Sequence, residues 1–240
     1  MQAVEIAFDN APDSPLKAAG LRTWADTVAL VGDSKEAQKV LQHSLTIAQS
    51  VRATEEAAQT LMSLGHLAGS RADNQTDFLD ALNFYKQVQQ TTKNSDLQIQ
   101  AQLNYFRTLS KYNLRPRASE ISKLSTARVT TVANTIEALD QVQKEIEMRL
   151  KELPPGRLRV NGLLNLSQTL LDYSQATPPK DKIVALLLEA NREAEQLKDD
   201  RAQSYAIGTL GHLYEQDQRW AEAESLTNQA IVLALRQDSR

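Results

Sequence analysis

Apolar side chains recur three and four positions apart over most of the chain, the stripe that one face of an α-helix leaves in a sequence. The stripes and their start and stop signals predict ten helices, over about 14–31, 34–51, 54–70, 76–92, 96–112, 134–152, 157–174, 180–198, 200–216 and 219–236. Asp33-Ser34 reads as a capping start for the second helix, because a short polar side chain there can accept an orphan backbone N–H. Asn134 reads as the cap of the sixth, with Glu137 three residues on as its capping-box partner. Pro154-Pro155-Gly156 stops the sixth helix, and Pro178-Pro179 separates the seventh from the eighth.

A second pattern lies under the first. Gly211, Ala223, Ala230 and Ala234 are separated by 12, 7 and 4 residues, and Ala25, Ala37, Ser44 and Ala48 repeat the same intervals. Gly65, Ala81, Val88, Thr92 and Ser167, Ile183, Ala190, Ala194 both run 16, 7, 4, with the extra residues in turn-like stretches at 70–76 and 175–180. A poorer copy has Arg107, Ala138, Glu145 and Arg149. A bulky residue precedes each ladder: Trp24, Leu64, Phe106, Leu166 and Leu210. Small residues are wanted where two antiparallel helices approach most closely. One such hairpin cannot bury both of its faces, so neighbours stack. The expectation is an all-α protein, an α-solenoid of about five antiparallel helix pairs forming one domain over 1–240. Its units fall at about 14–51, 54–92, 96–152, 157–198 and 200–236.

The third unit carries an insertion at 113–133, with Arg115-Pro116-Arg117 followed by a Ser/Thr-rich run and β-branched residues at 129–132. It reads as partly helical over 118–127. Two roles are open to it, a surface loop or a loop that contacts a partner.

Composition narrows the function. With 8 Gly and 7 Pro in 240 residues, breakers are scarce, and aromatics at 5% are few for a β-rich fold. A net charge of −3 offers no basic field for a nucleic-acid backbone. The absence of Cys removes thiolate nucleophiles, disulfides and Cys-based zinc sites. No apolar run reaches the ~18 residues that span a bilayer, and residues 1–15 do not resemble a signal peptide. A cytoplasmic protein with no membrane partner is expected. The abrupt start and end suggest a fragment of something longer.

Nothing assembles into an enzyme. His43, His66 and His212 lack a ligand set with metal spacing, and no Gly-rich phosphate loop or nucleophile elbow is present. No metal or cofactor is expected. The pairs Glu55-Glu56, Glu145/Glu147 and Asp199-Asp200 read as solvated, with Glu145–Arg149 and Glu147–Lys151 supporting their helix at (i, i+4).

Leu210-Gly211-x-x-Tyr214, Trp220-x-x-Ala223 and Ala230 resemble the tetratricopeptide repeat (TPR) signature residue by residue. Ser44-Leu45-Thr46-Ile47-Ala48 and Ala230-Ile231-Val232-Leu233-Ala234 resemble the ending of long, roughly 40-residue TPR units. The third unit departs, with Arg107 where Gly or Ala stands in the signature. The stretch 150–171, with Leu153-Pro154-Pro155 and Asn165-Leu166-Ser167-Gln168-x-Leu170, is similar to the TPR region of cyanobacterial proteins that end in a caspase-like CHAT protease domain. The resemblance implies a right-handed solenoid whose first helices line a concave groove. It places there Arg22, Asp26, Gln59, Met62, His66, Asn104, Thr108, Lys111, Asn161, Leu164, Asn165, Gln168, Leu171, Tyr205, Gly208, His212 and Glu215. This mixed polar set lacks the Lys/Arg cluster of a dicarboxylate clamp and suits an extended peptide. The expected function is a non-catalytic scaffold for a peptide or partner domain, with regulation of a protease domain outside this chain as one form of it. A ligand- or signalling-peptide-sensing repeat protein is the alternative. A homodimer through uncapped ends, near Leu16–Leu21 and Ile231–Leu235, is a further expectation.

Overall fold

A computed structural model describes residues 11–71, 75–114, 126–173 and 180–237. Among them are ten helices and no strand: α1 Pro15–Leu30, α2 Ser34–Ser50, α3 Thr54–Ser70, α4 Gln75–Thr91, α5 Ser95–Leu114, α6 Thr126–Glu152, α7 Arg157–Tyr173, α8 Lys180–Gln196, α9 Asp200–Gln216 and α10 Trp220–Gln237. None of the described helices is long and apolar enough to cross a membrane. The chain divides into two compact units, 1–112 and 113–240.

One turn recurs four times. The residue after each helix's C-cap takes a left-handed backbone: Gly32 (φ 96°) after α1, Arg52 (φ 56°) after α2, Lys198 (φ 54°) after α8 and Gln218 (φ 60°) after α9. The next N–H then reaches back across the helix end, Asp33 to Val28 O (3.3 Å), Ala53 to Ala48 O (2.8 Å), Asp199 to Ala194 O (2.9 Å) and Arg219 to Tyr214 O (2.9 Å). This is a Schellman stop, which satisfies the orphan carbonyls and reverses the chain within three residues. The third turn residue then starts the next helix. Asp33 accepts from the Glu36 N–H and Asp199 from the Ala202 N–H, both at 3.0 Å.

In the first unit α1 packs on α2, α2 on α3, α3 on α4, and α1 also touches α3. Ala18, Leu21, Ala25 and Val28 of α1 meet Ala37, Val40, Leu41, Ile47 and Ala48 of α2 and Ala57, Leu64 and Leu67 of α3 in one core. A second cluster joins Ala58, Leu61 and Met62 of α3 to Ala81, Tyr85 and Val88 of α4 and Ala101 of α5. In the second unit α6 meets α7, α7 meets α8 and α9, α8 meets α9, and α9 meets α10. Helices thus pack consecutively, pair by pair, an arrangement consistent with an α-solenoid.

The small-residue ladder marks the crossings. Buried Ser44 of α2 donates its hydroxyl to the Ala18 carbonyl of α1 (2.8 Å) and lies 3.1 Å from the Thr60 hydroxyl of α3. The corresponding contact of the last pair has the hydroxyl on the opposite helix, with Ser204 of α9 donating to the Ala230 carbonyl of α10 at 2.8 Å. Apolar pairs stand at the matching positions of two other units: Ala58 with Val88, and Val160 with Ala190, all buried. A Cβ on Gly211 would lie 3.0 Å from Thr227 Oγ1 and 3.3 Å from the Ala223 carbonyl. On Gly65 it would meet the Tyr85 ring at 2.5 Å, and on Gly162 it would collide with Leu150.

Two expectations change, and two fall outside the described residues. α6 begins at Thr126, not at Asn134. The β-branched run at 129–132 lowers helix propensity by only tenths of a kcal/mol per residue, too little to hold off a helix that continues beyond it. Residues 115–125 of the expected insertion, and the Pro178-Pro179 break, lie outside the described residues. Of the chain end near Leu16–Leu21, Leu16 is exposed but Leu21 belongs to the core.

Gly211→Leu must part α9 from α10, so urea unfolding followed by helical circular dichroism is expected to show a loss of about 1–3 kcal/mol. An unmoved midpoint would refute the crossing. At the turns, Gly32→Ala adds a Cβ that touches nothing within 4 Å, so its cost is conformational and about 1 kcal/mol. Lys198→Gly and Gln218→Gly should move stability the other way, by up to about 1 kcal/mol each.

Candidate functional site

The first helices of the pairs carry two polar faces, one in each unit. In the first unit, α1, α3 and α5 contribute. Arg22 donates from Nε to Glu56 Oε1 (2.7 Å) and from Nη2 to Gln59 Oε1 (2.9 Å). Ser63 Oγ bonds Asp26 Oδ2 at 3.2 Å. Asn104 Nδ2 lies 3.1 Å from His66 Nε2 and 3.7 Å from Met62 Sδ. Residues expected to share a face therefore do so, and they are joined across three helices by hydrogen bonds. Thr108 hydrogen-bonds the Tyr85 hydroxyl, and Lys111 is exposed near the end of α5.

Corrections follow from the same contacts. Met62 and Leu164 are buried in their units, so neither side chain is presented to a partner. Glu56, read as solvated, keeps only 13% of its side chain exposed and pairs with Arg22. Glu55 accepts from the Thr92 hydroxyl (2.8 Å) and the Asn94 amide (2.6 Å). Glu147 pairs with Lys182 of α8 at 2.7 Å and accepts from Gln143, rather than reaching along its helix to Lys151.

His66 and Tyr85 show what the first face does to titration. The two rings sit 6.0 Å apart, tilted by 58°. Burial against this wall pushes the His66 imidazole below its ordinary value, although part of the ring stays open to solvent. The Asp26 carboxylate opposes that shift and the Arg107 guanidinium adds to it. Burial also holds the Tyr85 phenol well above its ordinary range. Arg107, which departs from the small-residue ladder, is thus a fixed cation beside both rings.

In the second unit the face belongs to α7 and α9. The Tyr205 hydroxyl donates to Gln168 Oε1 at 2.8 Å, and Tyr205 stands between two open clefts. One, of about 710 Å³, is lined by Gln168, Leu171, Lys180, Gly208, Thr209 and His212 among others. The other, of about 810 Å³, is lined by Arg157, Asn161, Asn165, Arg201, Ser204 and Tyr205 among others. Gly208 leaves the floor bare where a side chain would stand. His212 is exposed, 3.0 Å from Gln216 Nε2 and 3.5 Å from Glu215. Lys180 pairs with Asp217 at one rim, and Arg157 lies 3.6 Å from Asp199 at the other. Asn161 and Asn165 stand one turn apart on α7, exposed, and their carboxamides bond no described residue. The Arg201 guanidinium is in the same state.

Of the residues expected in the groove, Arg22, Asp26, His66, Asn104, Asn161, Asn165, Gln168, Tyr205 and His212 lie on these two faces. Glu56, Ser63, Arg107, Arg157, Arg201 and Ser204 join them there and were not among the expected set. Glu56, Gln59, Ser63 and His66 follow one another at 3, 4 and 3 residues, a helical stripe that would have exposed Glu56 and Ser63. Compared with known proteins, the chain matches no family model and no curated sequence.

The His66 shift makes a pH test. Its folded-state value is depressed, so the unfolded chain binds the proton more readily. The stability this group contributes is complete above its ordinary value of 6.5 and is lost as pH falls through the depressed value. An NMR titration of the His66 ring should therefore find its midpoint below 6.5, and His66→Gln should flatten the fall in melting temperature on the acid side. A midpoint at or above 6.5 would contradict the burial argument.

Proposed function

We propose that this chain is a non-catalytic, TPR-type right-handed solenoid of the cytoplasm that binds an extended peptide segment along the first-helix faces of its units. One observation carries the reading. Asn161 and Asn165 offer two carboxamides, one turn apart on a well-packed helix, with no partner among the described residues, beside Tyr205 and Arg201. Each carboxamide supplies both donor and acceptor, which is what a peptide backbone requires irrespective of its side chains. The floor beneath is rigid, since Leu163, Leu166 and Leu170 of the same helix are buried. The clefts are open troughs lined mostly by half-buried and exposed side chains, which favours a chain-like ligand over a small molecule. That supports the scaffold over the ligand sensor. Regulation of a protease domain rests on the CHAT resemblance and is one form such a scaffold would take.

The test is selection from a random peptide display library on the intact chain, followed by affinity measurement of an enriched peptide. Asn161→Ala, Asn165→Ala and Gln168→Ala together should weaken it about tenfold or more, since each hydrogen bond is worth about 0.5–1.5 kcal/mol. Melting temperature should fall little, because Asn161 and Asn165 are exposed and Gln168, though half-buried, bonds only the exposed Tyr205 and Asp172. Unchanged affinity in the triple variant would remove this face from consideration.

A further inference from the structure

The two clefts beside Tyr205 differ in charge. In the one toward the C-terminal ends of α7 and α9, Asp172 and Lys180 are engaged already: Asp172 accepts from Gln168 at 2.8 Å, and Lys180 pairs with Asp217. The one toward the starts of the same helices is lined by Arg157 and Arg201, and Asp199 is the one carboxylate among the described residues there. Asp199 is engaged too. Its Oδ1 accepts from the Ala202 N–H at 3.0 Å, which caps α9, and its Oδ2 lies 3.6 Å from Arg157 Nε, too far for a hydrogen bond. Two guanidinium groups therefore line one cleft with a single, occupied counter-charge, in a chain whose net charge is −3.

Arg157 opens α7, and Arg201 is the second residue of α9. Val160 and Ala202 beside them are buried, so both stems leave an ordered backbone. The heads are open. The Arg157 side chain is 79% exposed, and the Arg201 guanidinium, exposed as well, bonds no described residue. Like charges in one cleft repel, and an anion between them replaces that repulsion with two attractions. A carboxylate is the group that the planar guanidinium fork matches, two N–H donors to two oxygens. Arg157 stands one turn of α7, about 6 Å, from Asn161. An extended peptide advances about 3.3 Å per residue, so the carboxylate belongs within about two residues of the peptide unit that Asn161 would hold.

We propose that Arg157 and Arg201 form a carboxylate subsite, which selects a segment carrying an Asp or Glu side chain beside the peptide unit bound by Asn161. This rests on the reading of α7 and α9 as a peptide-binding face and adds which segments that face prefers. Both arginines stand at an open rim, so the ligand chain can run on past them. The group bound is therefore a side chain within the segment rather than a chain terminus. Pairing at so exposed a site is screened by salt, which makes it a selector among segments more than the main source of affinity.

NMR of the full chain, read at the arginine Nε–H and asparagine amide resonances, tests this with acetylated, amidated tripeptides at about 0.1–10 mM. Gly-Glu-Gly should shift Arg157, Arg201 and Asn161 saturably. Gly-Gln-Gly, and Gly-Gly-Gly with a free C-terminus, should bind about fivefold more weakly or worse. Arg201→Gln should weaken binding of Gly-Glu-Gly several-fold. Arg201→Glu should reverse the preference, so that Gly-Lys-Gly binds better than Gly-Glu-Gly, which a misfolded variant would not do. Arg201 is exposed, so helical circular dichroism should be unaltered. Equal binding of the Glu and Gln peptides overturns the proposal. So does a preference for the free terminus, an Arg201→Glu chain without reversal, or shifts spread evenly to other exposed arginines such as Arg52 and Arg192. The fate of the face is read separately, on a display-selected peptide. One that needs Asn161 and Asn165 but keeps its affinity when each Asp and Glu in it becomes Asn or Gln overturns the subsite and leaves peptide binding standing. One indifferent to the α7 amides removes the face itself.

Discussion

Two helix backbones must come close enough for a serine on one to reach a carbonyl on the other. Ser44 does so from α2 to α1 and Ser204 from α9 to α10. At that separation the crossing residues can be only Gly, Ala or Ser, or a β-branched residue set against Ala. Everything larger is displaced to flanking positions, where Leu21, Leu41, Leu64, Leu187 and Leu213 fill the interior. The hydroxyl matters because it is buried. A serine there with no acceptor would cost about 1–3 kcal/mol, so a carbonyl must be within reach, and the close approach provides it. That the donor stands on the second helix in one pair and on the first in another shows that the distance is the constraint and the residue that spans it is negotiable.

The Schellman turn is the second half of that constraint. Reversal within three residues permits only a narrow range of angles between successive helices, and the same turn serves within a pair, after α1 and α9, and between pairs, after α2 and α8. Local chemistry therefore does not decide which helices pair. The side chains do: α1, α3, α7 and α9 each pack on two sides, and the faces left over become the polar surfaces. A polar face of this kind is the remainder of a packing solution rather than a feature added to it.

Packing explains what was legible in the sequence. Helix ends could be read to within a residue or two wherever a cap or a Schellman stop marks them, as at Asp33, Asp199 and Gly32. The start of α6 could not, because Asn134 has the residue type of a cap but stands inside a longer helix, where propensity is a weak signal against continuation. The small-residue ladder was legible because it is a steric requirement at fixed spacing. Register also brought Arg22, Asp26, His66 and Asn104 onto one face. It did not reveal that Glu56 completes the Arg22 site, nor that Met62 turns inward. Those outcomes depend on the neighbouring helix, some 40 residues away in sequence, and a single helical stripe carries no information about its neighbour's side chains.

The two polar faces are built from similar residue types, yet they are prepared for different things. On the first, Arg22, Glu56, Gln59, Asp26, Ser63, His66 and Asn104 bond one another. A ligand there would have to break one of those bonds for each it made, so its net gain would be small. On the second, Gln168 and Tyr205 are joined across the helices and ion pairs sit at the rims, while the side chains of Asn161, Asn165 and Arg201 are exposed and bond no described residue. Bonds made there replace water alone, and the helix that presents them is already ordered, so little further entropy is lost on binding. Composition would rank the charged first face as the stronger attractor. The count of uncommitted donors and acceptors reverses that order, and it is why the proposed recognition is placed on α7.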